Sequence, residues 1–254
     1  SGLRPLSAAI PLSPPSVSMG HCTPQPPSIW EIQVNIVVLP FSYAVVLLLA
    51  GAGQDRSYVL SGLVVASLVG TFVGLVAHRA SNLVQFHVLE LYAVLPARME
   101  LMVVGAVAAY ALVVLPQVMI LLGLAIGLAQ TGAKALLAVP GTFLGLLFLA
   151  LLGVFLGTLI RNPYKAQGLF PLLSWILLLG APVYYKAESL PRAYVIVLLV
   201  NPLTHVLNVI RPHLGFAPLV DIRVSVGLLV VLGGLMGLYA ARGLKDPKML
   251  ERFF

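Results

Sequence analysis

His78, His87, His205 and His213 could ligate a metal or pass a proton, but no pair of them has the HExxH arrangement, and neither cysteine nor carboxylate stands at ligand spacing. Cys22 is the only cysteine, so an internal disulfide or a cysteine-rich metal site is excluded within one chain. The stretch GLAQTGAK (Gly127 to Lys134) approaches the phosphate-cradling pattern GxxxxGK[ST]. Ala133 sets the lysine one place late, Ala135 replaces the magnesium-binding hydroxyl, and no strand precedes it, so it reads as a helix-ending turn. Neither an activated serine nor a carboxylate pair is visible at membrane depth, so catalysis by this chain is not expected. Its apolar runs contain no Asp, Glu, Lys, Arg or His, which disfavours self-powered ion coupling. The polar groups they do carry include Ser67, Thr71, Gln117 and Ser174.

The elements that would position these groups follow from composition. The chain has 254 residues, 60% hydrophobic and 9% charged, against about 25% charged in an ordinary soluble domain. Uncharged runs near or above the roughly 18 to 20 residues that cross a bilayer recur, with no alternating strand pattern. The expectation is an all-α polytopic membrane protein with six transmembrane helices: Val34 to Gly53, Val59 to Ala77, Leu101 to Ala129, Ala135 to Ile160, Gly168 to Tyr185 and Val224 to Ala241. Residues 1–33, with Pro5, Pro11, Pro14, Pro15, Pro24, Pro26 and Pro27, read as a mobile Pro-rich leader, and 243–254 as a polar tail. The net charge of +7 is not arranged in a stripe that could track a phosphate backbone, so nucleic acid is not an expected partner.

Two segments depart from the spanning pattern. From His78 to Glu100, Leu83, Phe86, Leu91 and Leu95 recur at helical spacing, with Asn82, Gln85 and Glu90 on other faces, so an amphipathic surface helix ending near Pro96 is predicted. From Lys186 to Gly215, an apolar stretch of about eight residues, Ala193 to Val200, is broken by Asn201 and Pro202 and followed by an amphipathic one. That pattern predicts a re-entrant or interfacial hairpin. Arg79, Arg98, Arg161, Lys165, Arg242, Lys245, Lys248 and Arg252 fall on one side, against Arg56, Lys134, Lys186, Arg192, Arg211 and Arg223 on the other, which puts both termini in the cytoplasm. Gly70/Gly74, Gly123/Gly127, Gly141/Gly145, Gly153/Gly157 and Gly233/Gly237 have helix-packing spacing, read first as packing within the chain. Trp175, Tyr184 and Tyr185 are either interfacial anchors or the lining of a substrate path.

The order of these elements resembles the permease subunit of type 2 ATP-binding cassette exporters over about residues 34–242. SYVLSGLVV (Ser57 to Val65) is similar to the family's second-span entrance, and VLELYAVLPAR (Val88 to Arg98) to its cytoplasmic Leu-Glu-x-Leu-x-x-x-Pro element. LPRAYVIVLLVNPLTHVLNVIR (Leu190 to Arg211) is similar to its outward hairpin, with Pro191, Asn201, Pro202, Thr204, His205 and Arg211 in the family's order. The chain departs from the pattern at His78-Arg79, where Glu-Arg is usual, and in its Pro-rich leader.

The resemblance implies a plasma-membrane exporter subunit that pairs with a second permease as a homo- or heterodimer. It also implies separate ATPase subunits that bind ATP and magnesium, this chain needing no cofactor of its own. The helix between spans 2 and 3 would then be the coupling element, with Arg79, Phe86, Glu90, Leu91, Pro96 and Arg98 facing the ATPase. Two other expectations stand beside it: a membrane scaffold whose surface helix recruits a soluble partner, and an ion-coupled secondary carrier.

Overall fold

The computed structural model describes residues 56–83, 99–129, 131–160, 162–187 and 190–245. The expected first span, the leader, the greater part of the tail and the coupling positions Phe86, Glu90, Leu91, Pro96 and Arg98 lie outside the described residues. The described residues are helical, in the order α1 (Arg56–Leu83), α2 (Met99–Leu128), α3 (Gly132–Leu159), α4 (Pro163–Leu179), α5 (Arg192–Val200), α6 (Pro202–Ile210) and α7 (Ile222–Lys245).

Four of these helices, α1, α2, α3 and α7, are long and apolar enough to cross a membrane. The α5–α6 pair, bent by 95° at Asn201, makes a fifth candidate if it is one broken span. Helix α2 runs through Pro116 for 30 residues, about 45 Å at 1.5 Å per residue, well beyond a hydrocarbon core of about 30 Å. The outward faces of α2, α4 and α7 are apolar, with Leu112, Ile120, Leu172, Ile176, Val231 and Leu238 all exposed. Side chains of this kind are stable on the outside only against lipid or another apolar surface.

Helix α1 is central: 78% of its apolar window is buried, against 22% for α7. It packs on α2, α3 and α4, while α3 also receives α6 and α7. Small residues permit the closest of these approaches. A Cβ at Gly153 would collide with the backbone carbonyl of Phe72, and one at Gly157 would lie 2.6 Å from the Ala77 carbonyl. Gly141 and Gly145 seat Val209 and Val206 of α6, and Gly233 and Gly237 lie against Leu151. Three of the glycine pairs thus serve packing within the chain, whereas Gly70, Gly123 and Gly127 have open space in front of them.

Three boundaries differ most from the sequence expectation. Helix α1 does not end at Ala77 but continues to Leu83, because Ala77, Ala80, Ser81 and Leu83 turn a buried face inward, Ser81 donating a hydrogen bond to the Ile160 carbonyl. Helix α4 begins at Pro163 rather than Gly168 and stops at Leu179, short of Tyr184 and Tyr185. Asn162 caps it, its side chain accepting from the amides of Tyr164 and Lys165 at 3.0 and 3.2 Å. Proline at the first helical position lacks the amide that would otherwise be orphaned there. The same Asn-Pro device starts α6, where the Asn201 side chain accepts from the Leu203 amide at 3.0 Å.

Candidate functional site

The chain alternates between two ends. The start of α1, the α2–α3 turn and the 180–221 segment meet at one, through Tyr58 on Pro182, Thr131 on His213 and Arg211 on Ser61. Leu83, Ile160 and the start of α4 lie at the other, where Ser81 meets Ile160. At the first end the residues of the Asn-Pro-Leu-Thr-His segment form a polar clasp. Asn201 donates to the Leu177 carbonyl of α4 at 2.7 Å, and Thr204 to the Leu198 carbonyl of α5 at 2.6 Å. His205 Nε2 lies 2.9 Å from the Leu199 carbonyl and Nδ1 3.1 Å from Ser225 Oγ of α7. A carbonyl can only accept, so Nε2 carries the proton and Nδ1 accepts from the serine; this tautomer is assigned from its partners.

Arg211 closes the clasp across 150 residues of sequence, donating from Nε to Ser61 Oγ at 3.1 Å. Nη1 and Nη2 donate to the carbonyls of Pro182 and Val183 at 2.5 and 2.9 Å, and the guanidinium lies 3.5 Å from the centroid of the Tyr58 ring. Asn208, not singled out from the sequence, joins α6 to α7 by donating to Val220 O and Ser225 Oγ and accepting from the Leu219 amide. Its signal was there: Asn201, Thr204, Asn208 and Arg211 recur every three or four residues in an otherwise apolar segment. Pro191 caps α5, its carbonyl accepting from the Tyr194 amide at 2.9 Å.

The middle of the bundle is built differently. Residues Gly70–Val76 of α1 form a π-helical segment, a local widening that recurs at functional sites. Beside it, α1 and α4 enclose a groove of 460 Å³ lined by Ser67, Gly70, Thr71, Gly74 and His78 on one wall and Gln167, Pro171, Ser174 and Trp175 on the other. The hydroxyl protons are spent within each helix: Ser67 donates to Leu63 O, Thr71 to Ser67 O and Ser174 to Phe170 O, each at 2.9 Å. These hydroxyls therefore offer lone pairs to a groove whose remaining lining is apolar carbon and the side chains of His78 and Gln167. Gln117 of α2 donates to Ser67 Oγ at 3.2 Å, while its buried Oε1 and the buried His78 Nδ1 have no hydrogen-bond partner among the described residues.

Of the aromatic residues expected to line a path, Trp175 stands in this groove, half exposed. Tyr184 and Tyr185 sit at the clasp end, where the Tyr185 carbonyl accepts from Tyr58 Oη at 2.6 Å. Partial burial pushes the Tyr185 hydroxyl above its ordinary pKa. Arg79 is exposed at the opposite end, just before the segment that leads out of α1.

Residues 25–213 match the model of the family described as ABC-2 type transporter. The chain belongs to this family. It is thus a multi-pass membrane permease, the transport component of an ABC system. No curated protein matches the chain. Within the permease, the matched region ends at the clasp, two residues beyond Arg211, and covers the whole groove.

Proposed function

We propose that this permease is the membrane subunit of an ABC exporter. It forms the substrate pathway with a second permease subunit and is driven by separate ATPase subunits that bind ATP and magnesium. The groove between α1 and α4 supports this reading most directly. It lies beside a π-helical segment of the most buried of the four candidate spans, its hydroxyls spend their protons within their own helices, and among the described residues α4 packs mainly on α1. A helix packed mainly on one partner can shift against that partner at small cost, and a pathway that alternates its access needs such a surface.

In this reading the end bearing Arg79 faces the cytoplasm, with both termini, and the clasp faces outward as a re-entrant hairpin in the plasma membrane. The segment from Leu83 to Arg98 is the coupling element, and Glu90 contacts the ATPase. ATP binding draws the ATPase subunits together, and their movement, delivered at the end of α1, opens or closes the groove.

Extraction in mild detergent through a tag on the C-terminal tail, followed by mass spectrometry, tests the partnership. Stoichiometric recovery of a P-loop ATPase is expected, with its loss when residues 83–95 are deleted. Glu90→Lys should abolish export while leaving membrane insertion and dimerisation intact. An assembled complex with no ATPase, or export unchanged by Glu90→Lys and by the deletion, would turn the reading toward a scaffold or a carrier driven by an ion gradient.

A further inference from the structure

The clasp end holds a second cavity, separate from the groove. Its volume is 220 Å³, against about 30 Å³ for one water in the liquid, so it has room for an ionised group of several heavy atoms. Tyr58, Pro182, Thr204, Asn208 and Arg211 wall it, and Ala217 and Lys186, both exposed, stand at its mouth.

Arg211 sets the chemistry of this cavity. The residue is 6% exposed, and three of its N–H groups are directed to Ser61 Oγ, Pro182 O and Val183 O. A guanidinium carries five, so Nη1 and Nη2 each keep one unspent donor. All its partners are neutral: a hydroxyl, two carbonyls and the face of Tyr58. Among the described residues no carboxylate is bonded to it. The other polar groups in the wall have already spent their protons, Asn208 on Val220 and Ser225, and Thr204 on Leu198. A desolvated cation without a counter-ion is costly, and an anion held against it offsets that cost. Paired guanidinium donors suit phosphate oxygens in particular.

We propose that this cavity is an anion site that takes a phosphate group, with Arg211 donating its two remaining N–H bonds to phosphate oxygens and Lys186 adding positive charge at the mouth. The same chemistry describes a free phosphate and the head group of a phospholipid. The site is independent of the export reading, since it involves neither the groove nor the ATPase.

The test uses the full chain in a zwitterionic, phosphate-free detergent at constant ionic strength. Melting temperature is followed against added inorganic phosphate. Native mass spectrometry is recorded after incubation with phosphatidylglycerol or, separately, phosphatidylcholine. Two variants are compared: Arg211→Lys, which keeps the charge and loses the fork, and Ala217→Glu, which puts a carboxylate at the exposed mouth without touching the clasp. A saturable rise in melting temperature, or a retained lipid, is expected in the unsubstituted protein, with apparent affinity lower by roughly tenfold in the variants. Response to inorganic phosphate alone identifies a free anion as the occupant, whereas selective retention of phosphatidylglycerol identifies a head group. No saturable response to either probe overturns the site, as does a response equally strong in Ala217→Glu. If Arg211→Lys fails to fold, Ala217→Glu alone decides.

Discussion

The clasp and the groove are built from the same kinds of residue and differ in how fully those residues are satisfied. In the clasp, Asn201, Thr204, His205, Asn208 and Arg211 all bond outside their own helix, so α1, α4, α5, α6 and α7 are held to one another by side chains. In the groove, Ser67, Thr71 and Ser174 donate only to carbonyls of their own helix and none of them bonds to the facing wall, while His78 Nδ1 has no hydrogen-bond partner among the described residues. Polar groups that bond between elements fix geometry; polar groups that bond within one element keep it intact while leaving its neighbour free to shift. The clasp is therefore the fixed end against which the two walls of the groove can move.

The contrast is broken most severely where α1 meets α3, because both regions hang on that contact. Gly153→Val places a branched side chain against the Phe72 carbonyl, which lies in backbone and cannot swing aside. A loss of more than about 3 kcal/mol is expected. The measurement is the yield of folded protein after detergent extraction and its melting temperature, which should both fall sharply.

Arg211→Met comes next. It leaves the carbonyls of Pro182 and Val183 without the guanidinium, because the single Tyr58 hydroxyl proton is directed to the nearer Tyr185 carbonyl, whereas Ser61 Oγ keeps its own bond to Tyr58 O. Orphaned buried groups cost about 1 to 3 kcal/mol each, so a loss of about 3 kcal/mol is expected. Asn208→Ala removes bonds to Val220, Ser225 and Leu219 at a more solvated edge. About 2 kcal/mol is expected there, a melting temperature lower by roughly 4 to 8 °C. If Asn208→Ala were as harmless as a groove substitution, the clasp would not be the fixed end.

Much of this architecture was legible before the structure. The expected spans from Leu101 to Ala129, Ala135 to Ile160 and Val224 to Ala241 fall within a few residues of α2, α3 and α7, because an uncharged run of this length has no other stable form in a bilayer. The bend at Asn201 was legible because the apolar run before it is only about eight residues long and an Asn-Pro pair is well placed to start a new helix, whereas Pro116 and Pro171 lie inside helices that continue through them. The end of α1 was misjudged because His78, Arg79 and Asn82 look like a surface, and only the packing of Ala77 and Ala80 on α3 shows that the helix goes on. The start of α4 was missed although Asn162-Pro163 carries the same signal as Asn201-Pro202, since the polar Lys165 and Gln167 disguised the first turn. Arg211 was marked by its place in a pattern. That it reaches Ser61 and two consecutive carbonyls is a property of the tertiary fold, with no local trace in the sequence.

The smallest effect on stability should accompany a large effect on transport, and that pairing separates the two regions most clearly. Gly70 has open space in front of it, at the wall of the groove. Gly70→Leu should therefore meet no clash, and replacing a helical glycine limits the unfolded chain, worth about 0.4 to 1 kcal/mol in favour of the folded state. The melting temperature should hold or rise slightly, while the leucine fills space between α1 and α4 and export by the assembled transporter falls. Leucine at Gly123, which also faces open space but lies on α2 and outside the groove, is the control for bulk alone. Lost export with Gly70→Leu and retained export with Gly123→Leu would assign the pathway to the groove. Unchanged export with both would place it elsewhere on the permease, and would leave the π-helical segment as a packing adjustment around the Phe72 carbonyl.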